Sequence, residues 1–360
     1  MLIEKQIYAN RKSGIDLLRI IAMLCICIFH ATQTFCSKFP TESTDSPVIT
    51  ALGNFGAVGN MLFIICSSYF LALKPKARAD KAINMLADAT LISILFLFVY
   101  LLCGVQLGKS TILHQILPNI YNQNWFIPCY VIFYLLSPIV IKGLSSLTKE
   151  THFALCIVSL IVYGLLSLYD PLTPVGSHLL KFFYILNIVA FITWHVTPKS
   201  SLWNLVAFLI GTLIYILLSV LAKYLSRNVE SIPSISFGSY YSPFLLFPLI
   251  FLFNLFRNMK FNNAFISYLS SCTLFVYIIH ENALFRSITR KAYFSYAVDN
   301  FGIQYAVWFI LLCGMVMFIA GFILSVIYNE TLHKLTKKLS ALIVNGIKRI
   351  INKLFSICVK

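Results

Sequence analysis

Arg19 and His30 lie eleven positions apart in one apolar stretch, Gly14-Ile-Asp-Leu-Leu-Arg-Ile-Ile-Ala-Met-Leu-Cys-Ile-Cys-Ile-Phe-His30. At about 100° and 1.5 Å per residue this is close to three whole helical turns, so both side chains project from one face about 16 Å apart along the axis. Ionisable groups inside a membrane span are costly and by default mark a functional site. Asp16, one turn before Arg19 on nearly the same face, is placed to pair with it. The guanidinium stays charged and keeps donors to spare, which suits an anionic or phosphate-bearing ligand. The imidazole exchanges a proton near neutral pH, as deprotonation of a hydroxyl or activation of a thioester requires. A structural reading of the same residues is a histidine bonded to a carbonyl and an Asp/Arg pair that fixes topology at the interface.

The helix that must position them is one of many. Of the 360 residues 59% are hydrophobic and 11% charged, and the mean hydropathy is +0.85, which excludes a water-soluble domain. Runs long enough to cross ~30 Å of hydrocarbon recur along the chain and are continuously apolar rather than alternating. The chain therefore reads as an all-α, polytopic integral membrane protein. Its runs predict about ten transmembrane helices, near 14–36, 51–73, 82–104, 124–142, 152–169, 179–197, 202–222, 238–256, 264–281 and 302–328. Pro128 and Pro138 interrupt the fourth, and Lys181, Asn187 and His195 mark the sixth, so both are candidates to line a cavity. The first run, carrying Asp16, Arg19 and His30, reads as a mature span rather than a cleaved signal peptide.

With the N-terminus inside, about twenty of the 28 Lys and Arg residues fall on the inner side. Both termini are then cytoplasmic and the protein sits in the cytoplasmic membrane. The same asymmetry accounts for most of the +16 net charge, so no nucleic-acid partner is expected. The ten cysteines are scattered and read as small apolar filler, and no cluster has metal-ligand spacing, so no metal is expected.

Residues 1–330 read as one membrane domain and 331–360 as a basic amphipathic tail. In the tail, Leu332, Leu335, Leu339, Leu342, Ile343, Ile347 and Ile350 recur at helical spacing between Lys334, Lys337, Lys338, Lys348, Arg349 and Lys353. Such a segment is expected against anionic membrane lipid at the inner interface, as an anchor.

The run Arg11…Ile15-Asp16-Leu-Leu-Arg19-Ile-Ile-Ala22…His30 resembles the first-helix signature of the membrane-bound acyltransferase 3 family, an arginine, ten residues, then a histidine. Gly56-Ala-Val-Gly-Asn-Met-Leu-Phe-Ile-Ile-Cys-Ser67 resembles that family's glycine-led second helix. Asn124-Trp125-Phe126…Tyr130…Tyr134-Leu-Leu-Ser-Pro138 resembles its fourth helix, and Tyr277-Ile-Ile-His280 its ninth. The likeness covers most of residues 11–328. Many members have a His-Trp-Ser form where this chain has Asn124-Trp125-Phe126.

Members transfer acyl groups, most often acetyl from acetyl-CoA, to hydroxyls of cell-envelope carbohydrates. The resemblance implies acyl-CoA engagement for Arg19 and catalysis for His30; Asp16 is counted with them as a candidate catalytic residue and Arg11 as a candidate substrate-binding one. Acetyl-CoA is then the donor substrate, and a surface or capsular polysaccharide, or its lipid-linked precursor, the acceptor.

Trp125, Tyr130, Tyr134 and Tyr277 are candidate tunnel walls or a sugar platform, against the alternative of an aromatic belt. Asn124 either donates to a carbonyl oxygen or caps the fourth helix. His280 and Glu281 end the ninth span as a candidate substrate-facing pair. Arg286, Arg290 and Lys291 read as a solvated basic loop, and His114, His152, His178, His195 and His333 as surface or interfacial. The competing function is a polysaccharide exporter or flippase, which would favour duplicated halves; no convincing duplication is present.

Overall fold

The computed structural model describes residues 13–40, 46–121, 123–168, 178–228, 237, 239 and 241–358. Helices are the regular elements among these residues, because hydrocarbon offers a backbone amide no partner outside its own segment. In chain order they are α1 (Gly14–Lys38), α2 (Pro47–Gly53), α3 (Phe55–Leu73), α4 (Ala79–Leu102), α5 (Lys109–Ile116), α6 (Phe126–Ser145), α7 (Lys149–Ser159), α8 (His178–His195), α9 (Ser201–Asn228), α10 (Pro243–Arg257), α11 (Ala264–His280), α12 (Lys291–Phe301), α13 (Ala306–Glu330) and α14 (His333–Cys358).

Seven stretches are long and apolar enough to cross a bilayer: α1, Pro47–Leu73, α4, α6, α8, Ser201–Ala222 and Ile303–Glu330. The remaining three predicted spans are shorter or broken. The fifth is α7 continued through a π-helical Leu160–Leu165 and a 3-10 turn at Leu166–Leu168. The eighth is the 15-residue α10, and the ninth is α11, joined to the helical run Phe285–Phe301 at a bend of 68°. Broken helices at membrane depth persist where protein satisfies the freed backbone groups, and the bend after α11 is where the candidate chemistry gathers.

α1 is the helix around which the others pack. Its N-terminal half contributes Ile15, Leu18 and Ala22 to a core shared with α3, α6, α8 and α10. Its C-terminal half contributes Met23, Ile26, Cys27, Ala31 and Phe35 to a second core built with α11 and α13. Two glycines allow this contact from opposite sides. A Cβ on Gly59 of α3 would lie 2.7 Å from the Ala22 carbonyl oxygen, and one on Gly314 of α13 would lie 2.9 Å from the Ile28 Cα. Small residues are how helices approach closely where no hydrophobic effect drives them together. α9, by contrast, leaves Leu209, Leu213, Leu217 and Val220 exposed, as a lipid-facing helix must.

The tail helix is tied to the bundle by polar groups. Asp88, ten residues into α4, is buried and accepts from the Tyr328 hydroxyl (2.7 Å) and Thr336 Oγ1 (2.6 Å), with His333 Nδ1 at 3.1 Å. Asn84 donates to the other Asp88 oxygen (3.0 Å) and accepts from Ser340 (3.4 Å). His333, expected at the surface, is instead buried against Asp88: its neighbours Thr336 and Ser340 are small enough to bring α14 against α4. Replacing Asp88 by Ala would strand several buried donors, each costing ~1–3 kcal/mol. We expect the tail of Asp88→Ala to detach in membranes, read as trypsin cleavage at Lys337 and Lys338 at least about ten-fold faster, since ~1.4 kcal/mol is a factor of ten.

Candidate active site

The eleven-residue spacing on α1 turns both ionisable side chains toward α11. Arg19 donates from Nη1 to Ser270 Oγ (3.1 Å) and from Nη2 to Thr273 Oγ1 (3.3 Å). Three turns on, His30 Nδ1 lies 2.9 Å from His280 Nε2, at the last residue of α11. Thr273 and His280 are themselves two turns apart, so one face of α1 is read by one face of α11.

The proton positions at the histidine pair follow from their partners. His280 Nδ1 is 2.6 Å from the Val276 carbonyl oxygen, which can only accept, so Nδ1 carries the proton and Nε2 a lone pair. His30 Nδ1 must then be the donor to His280 Nε2, and it also lies 3.1 Å from Glu281 Oε2. With its Nδ1 proton held there, neutral His30 is left with Nε2 as its basic atom, which has no partner among the described residues. Both rings are buried.

Glu281 is held by two cations. Arg286 Nη1 donates to Oε1 at 2.7 Å, and Arg290 Nη2 to Oε2 at 3.2 Å. Arg290 is 1% exposed and spends a further N–H on Met317 Sδ. Both arginines reach back because the chain turns after α11. Asn282 Oδ1 accepts from the Leu284 and Phe285 amides (3.0 and 3.4 Å), and Phe285–Arg290 is π-helical. The Asn282 amide is fixed in turn by Gln115, which also accepts from Ser93 of α4. The sequence reading of Arg286 and Arg290 as a solvated loop is thus corrected: the π-turn folds them inward, where they offset the buried Glu281 carboxylate. The signal was present, since Glu281 is followed by arginines five and nine positions later among Leu284, Phe285 and Ile288.

His30 opens onto a cavity of about 420 Å³ lined also by Gln33, Asn60, Gln123, Trp125, His178, Tyr241, Tyr277, Glu281 and Arg286. It lies at the ends of the helices remote from Arg19. Trp125 packs on the His178 ring with centroids 4.1 Å apart, and Tyr277 tilts against His30 at 6.2 Å. Aromatic faces with amide side chains between them form the lining expected for a small polar ligand. The three amides and His178 carried no signal in sequence, because isolated polar residues near span ends are common.

Other residues singled out in the sequence lie off this cavity. Asp16 accepts from Ser267 Oγ (2.8 Å), and Ser13 lies 3.2 Å from the same hydroxyl, so Asp16 helps join the starts of α1 and α11; the expected Asp16–Arg19 ion pair is not formed among the described contacts. The Asn124 side chain is buried but does not cap α6, and its Oδ1 has no described partner. Tyr130 hydrogen-bonds Ser67 (3.1 Å), and Tyr134 accepts from the Arg78 amide (3.1 Å) at the opposite end of the bundle. Arg11 lies outside the described residues. Arg19 does not line the cavity. A run of rings, Tyr130 to Phe126 to Tyr277, each pair of centroids 5.6 Å apart, fills the space towards His30.

His30, His280 and Glu281 present three donor atoms within 4.8 Å of one another, a set able in principle to hold a metal ion. The donors are already committed: His30 and His280 share a proton, and both Glu281 oxygens face guanidiniums. A dication there would meet Arg286 and Arg290, so the donor set fits a proton-holding relay better than a cation site.

The sequence profile of an acyltransferase domain matches residues 12–328. No curated protein and no solved structure matches the chain.

Removing one partner of a buried ion pair typically costs ~3–5 kcal/mol, whereas removing both for apolar groups is often neutral. We therefore expect Arg290→Leu to lower the unfolding temperature in detergent sharply, and the double variant Arg290→Leu/Glu281→Leu to recover most of it. Equal losses in the single and double variants would show that the carboxylate is not what Arg290 serves.

Proposed function

The chain belongs to the acyltransferase 3 family, and on that premise we propose that it transfers a short acyl group, acetyl in the first instance, from acyl-CoA to a hydroxyl of a surface or capsular polysaccharide or its lipid-linked precursor. The observation that carries this reading is the committed Nδ1 of His30 beside a cavity with sugar-compatible walls. Only an imidazole with one nitrogen fixed as a donor offers the other as a defined base.

In the proposed reaction the acceptor hydroxyl gives its proton to His30 Nε2 while its oxygen attacks the thioester carbonyl. The tetrahedral intermediate collapses, the C–S bond breaks, and the CoA sulfur leaves with the proton returned from His30. The imidazolium formed in between faces Glu281, so charge develops where a carboxylate is already oriented. Arg286 and Arg290 fix that carboxylate and do not themselves touch the reacting atoms. General-base catalysis of this kind contributes ~10²–10⁴-fold. Trp125, Tyr277 and the amides of Gln33, Asn60 and Gln123 would form the acceptor subsite.

The donor would enter from the Arg19 end, where the guanidinium, between Ser270 and Thr273, is suited to a CoA phosphate. Its pantetheine arm would then part the Tyr130, Phe126 and Tyr277 rings to bring the thioester to His30. Until a donor parts them, those rings fill the space between the Arg19 end and His30.

The test is mass spectrometry of envelope polysaccharide from the host with the gene intact, deleted, or restored as variants. Deletion should remove an acetyl or other acyl mass from one glycan. His30→Ala, present in membranes at normal level, should fail to restore it; restoration would remove His30 from the chemistry. With purified protein, Glu281→Gln should lower kcat by at least about ten-fold with little change in KM for acyl-CoA, the pattern of an interaction made in the transition state. Arg19→Ala should do the reverse. Unchanged decoration in the deletion strain, with polymer trapped inside the cell, would favour export instead.

A further inference from the structure

An amphipathic helix docked on a protein normally hides its apolar face. α14 does the opposite. The side chains it buries against α4 are His333, Thr336, Ser340 and Val344, a stripe at three- and four-residue spacing in which all but the last are polar. The face it turns away carries Leu335 (60% exposed), Leu339 (50%), Leu342 (69%) and Ile350 (61%), with Ile343 and Ile347 beside them. The Asp88 and Asn84 bonds fix this orientation, since rotating α14 to hide its leucines would bare the carboxylate and strand His333, Thr336 and Ser340.

The third face is cationic. Lys337, Lys338, Lys348 and Arg349 are exposed, and no Asp or Glu follows Glu330 in the sequence. α14 also has a fixed depth. Asp88 lies nine residues beyond Ala79, ~13 Å along α4, and Asn84 about 6 Å nearer its start, so α14 runs antiparallel to α4 towards the end bearing Arg78 and Lys81. Its apolar stripe thus begins beside the hydrocarbon and ends at the level of the basic loops.

We propose that α14 is a docking helix for anionic phospholipid, with the leucine and isoleucine stripe in the acyl-chain boundary and Lys337, Lys338, Lys348 and Arg349 on the headgroups. Charge complementarity selects this occupant over a second copy of the chain, because two copies of α14 would bring like-charged flanks together. The area the stripe covers serves neutral and anionic lipid equally; the four cations supply the preference for an anionic surface. This inference does not depend on the acyl-transfer reading.

Hydrogen–deuterium exchange of the full-length protein in single-copy nanodiscs tests it, comparing phosphatidylcholine alone with phosphatidylcholine containing about 30% phosphatidylglycerol. Amides of 341–358 should exchange at least about ten-fold more slowly in the anionic discs, and the difference should shrink in ~1 M salt. In the variant K337Q/K338Q/K348Q/R349Q the two lipids should give the same rates, while 333–340, held by Asp88, stays protected in both. Equal exchange of the unmodified protein in the two lipids would overturn the proposal. So would protection that arises only in discs holding two copies, which would assign the stripe to a chain–chain contact.

Discussion

One buried carboxylate organises the end of this molecule that holds the cavity. Glu281 sits in a region where an isolated charge would cost many kcal/mol, and its oxygens are shared among His30, Arg286 and Arg290. Two unit charges ~4 Å apart interact by ~4 kcal/mol at an effective dielectric of 20, so neither guanidinium can be surrendered to solvent without leaving the carboxylate exposed to that penalty. The bend after α11 follows from this requirement. A straight continuation of the helix would carry Arg286 and Arg290 away from the side chain they neutralise, whereas the Asn282 turn and the π-helical Phe285–Arg290 return both.

The position of α1 is set by the same need. Its C-terminal half must approach α11 closely enough for an imidazole-to-imidazole hydrogen bond, and it does so while α3 and α13 close on it through Gly59 and Gly314. Packing and chemistry therefore share one helix, and steric crowding at either glycine would reach the His30–His280 pair through displacement of α1. The rings between Arg19 and His30 are a product of the same close packing.

Much of this was legible in the sequence. The eleven-residue spacing of Arg19 and His30 fixes a shared face whatever the neighbours, and both side chains meet α11. Continuous apolar runs with basic punctuation mark the apolar helices, of which seven are long enough to cross a bilayer and others proved short or broken. What could not be read were contacts made by non-helical geometry or by partners distant in the chain. Arg290 looks like a loop residue because periodicity does not encode a π-turn, and His333 looks interfacial because its acceptor, Asp88, lies 245 positions earlier. Tyr134 belongs to a recognisable aromatic pattern, yet spacing along α6 places it beside Arg78 at the other end of the bundle from the cavity that Trp125 lines.

α4 touches both polar centres. Near its start, Asn84 and Asp88 hold the tail helix; further along, Ser93 reaches Asn282 through Gln115, and Tyr100 meets Thr289 within the π-turn that carries Arg286 and Arg290. Each contact satisfies a polar group that membrane burial would otherwise penalise, so α4 is held at both ends by interactions that cannot be traded for water. A helix fixed in this way resists both rotation and axial sliding, and the turn it supports keeps Glu281 within reach of His30. The position of the His30–Glu281 pair at one end of the bundle is thus maintained in part by hydrogen bonds to a tail helix at the other.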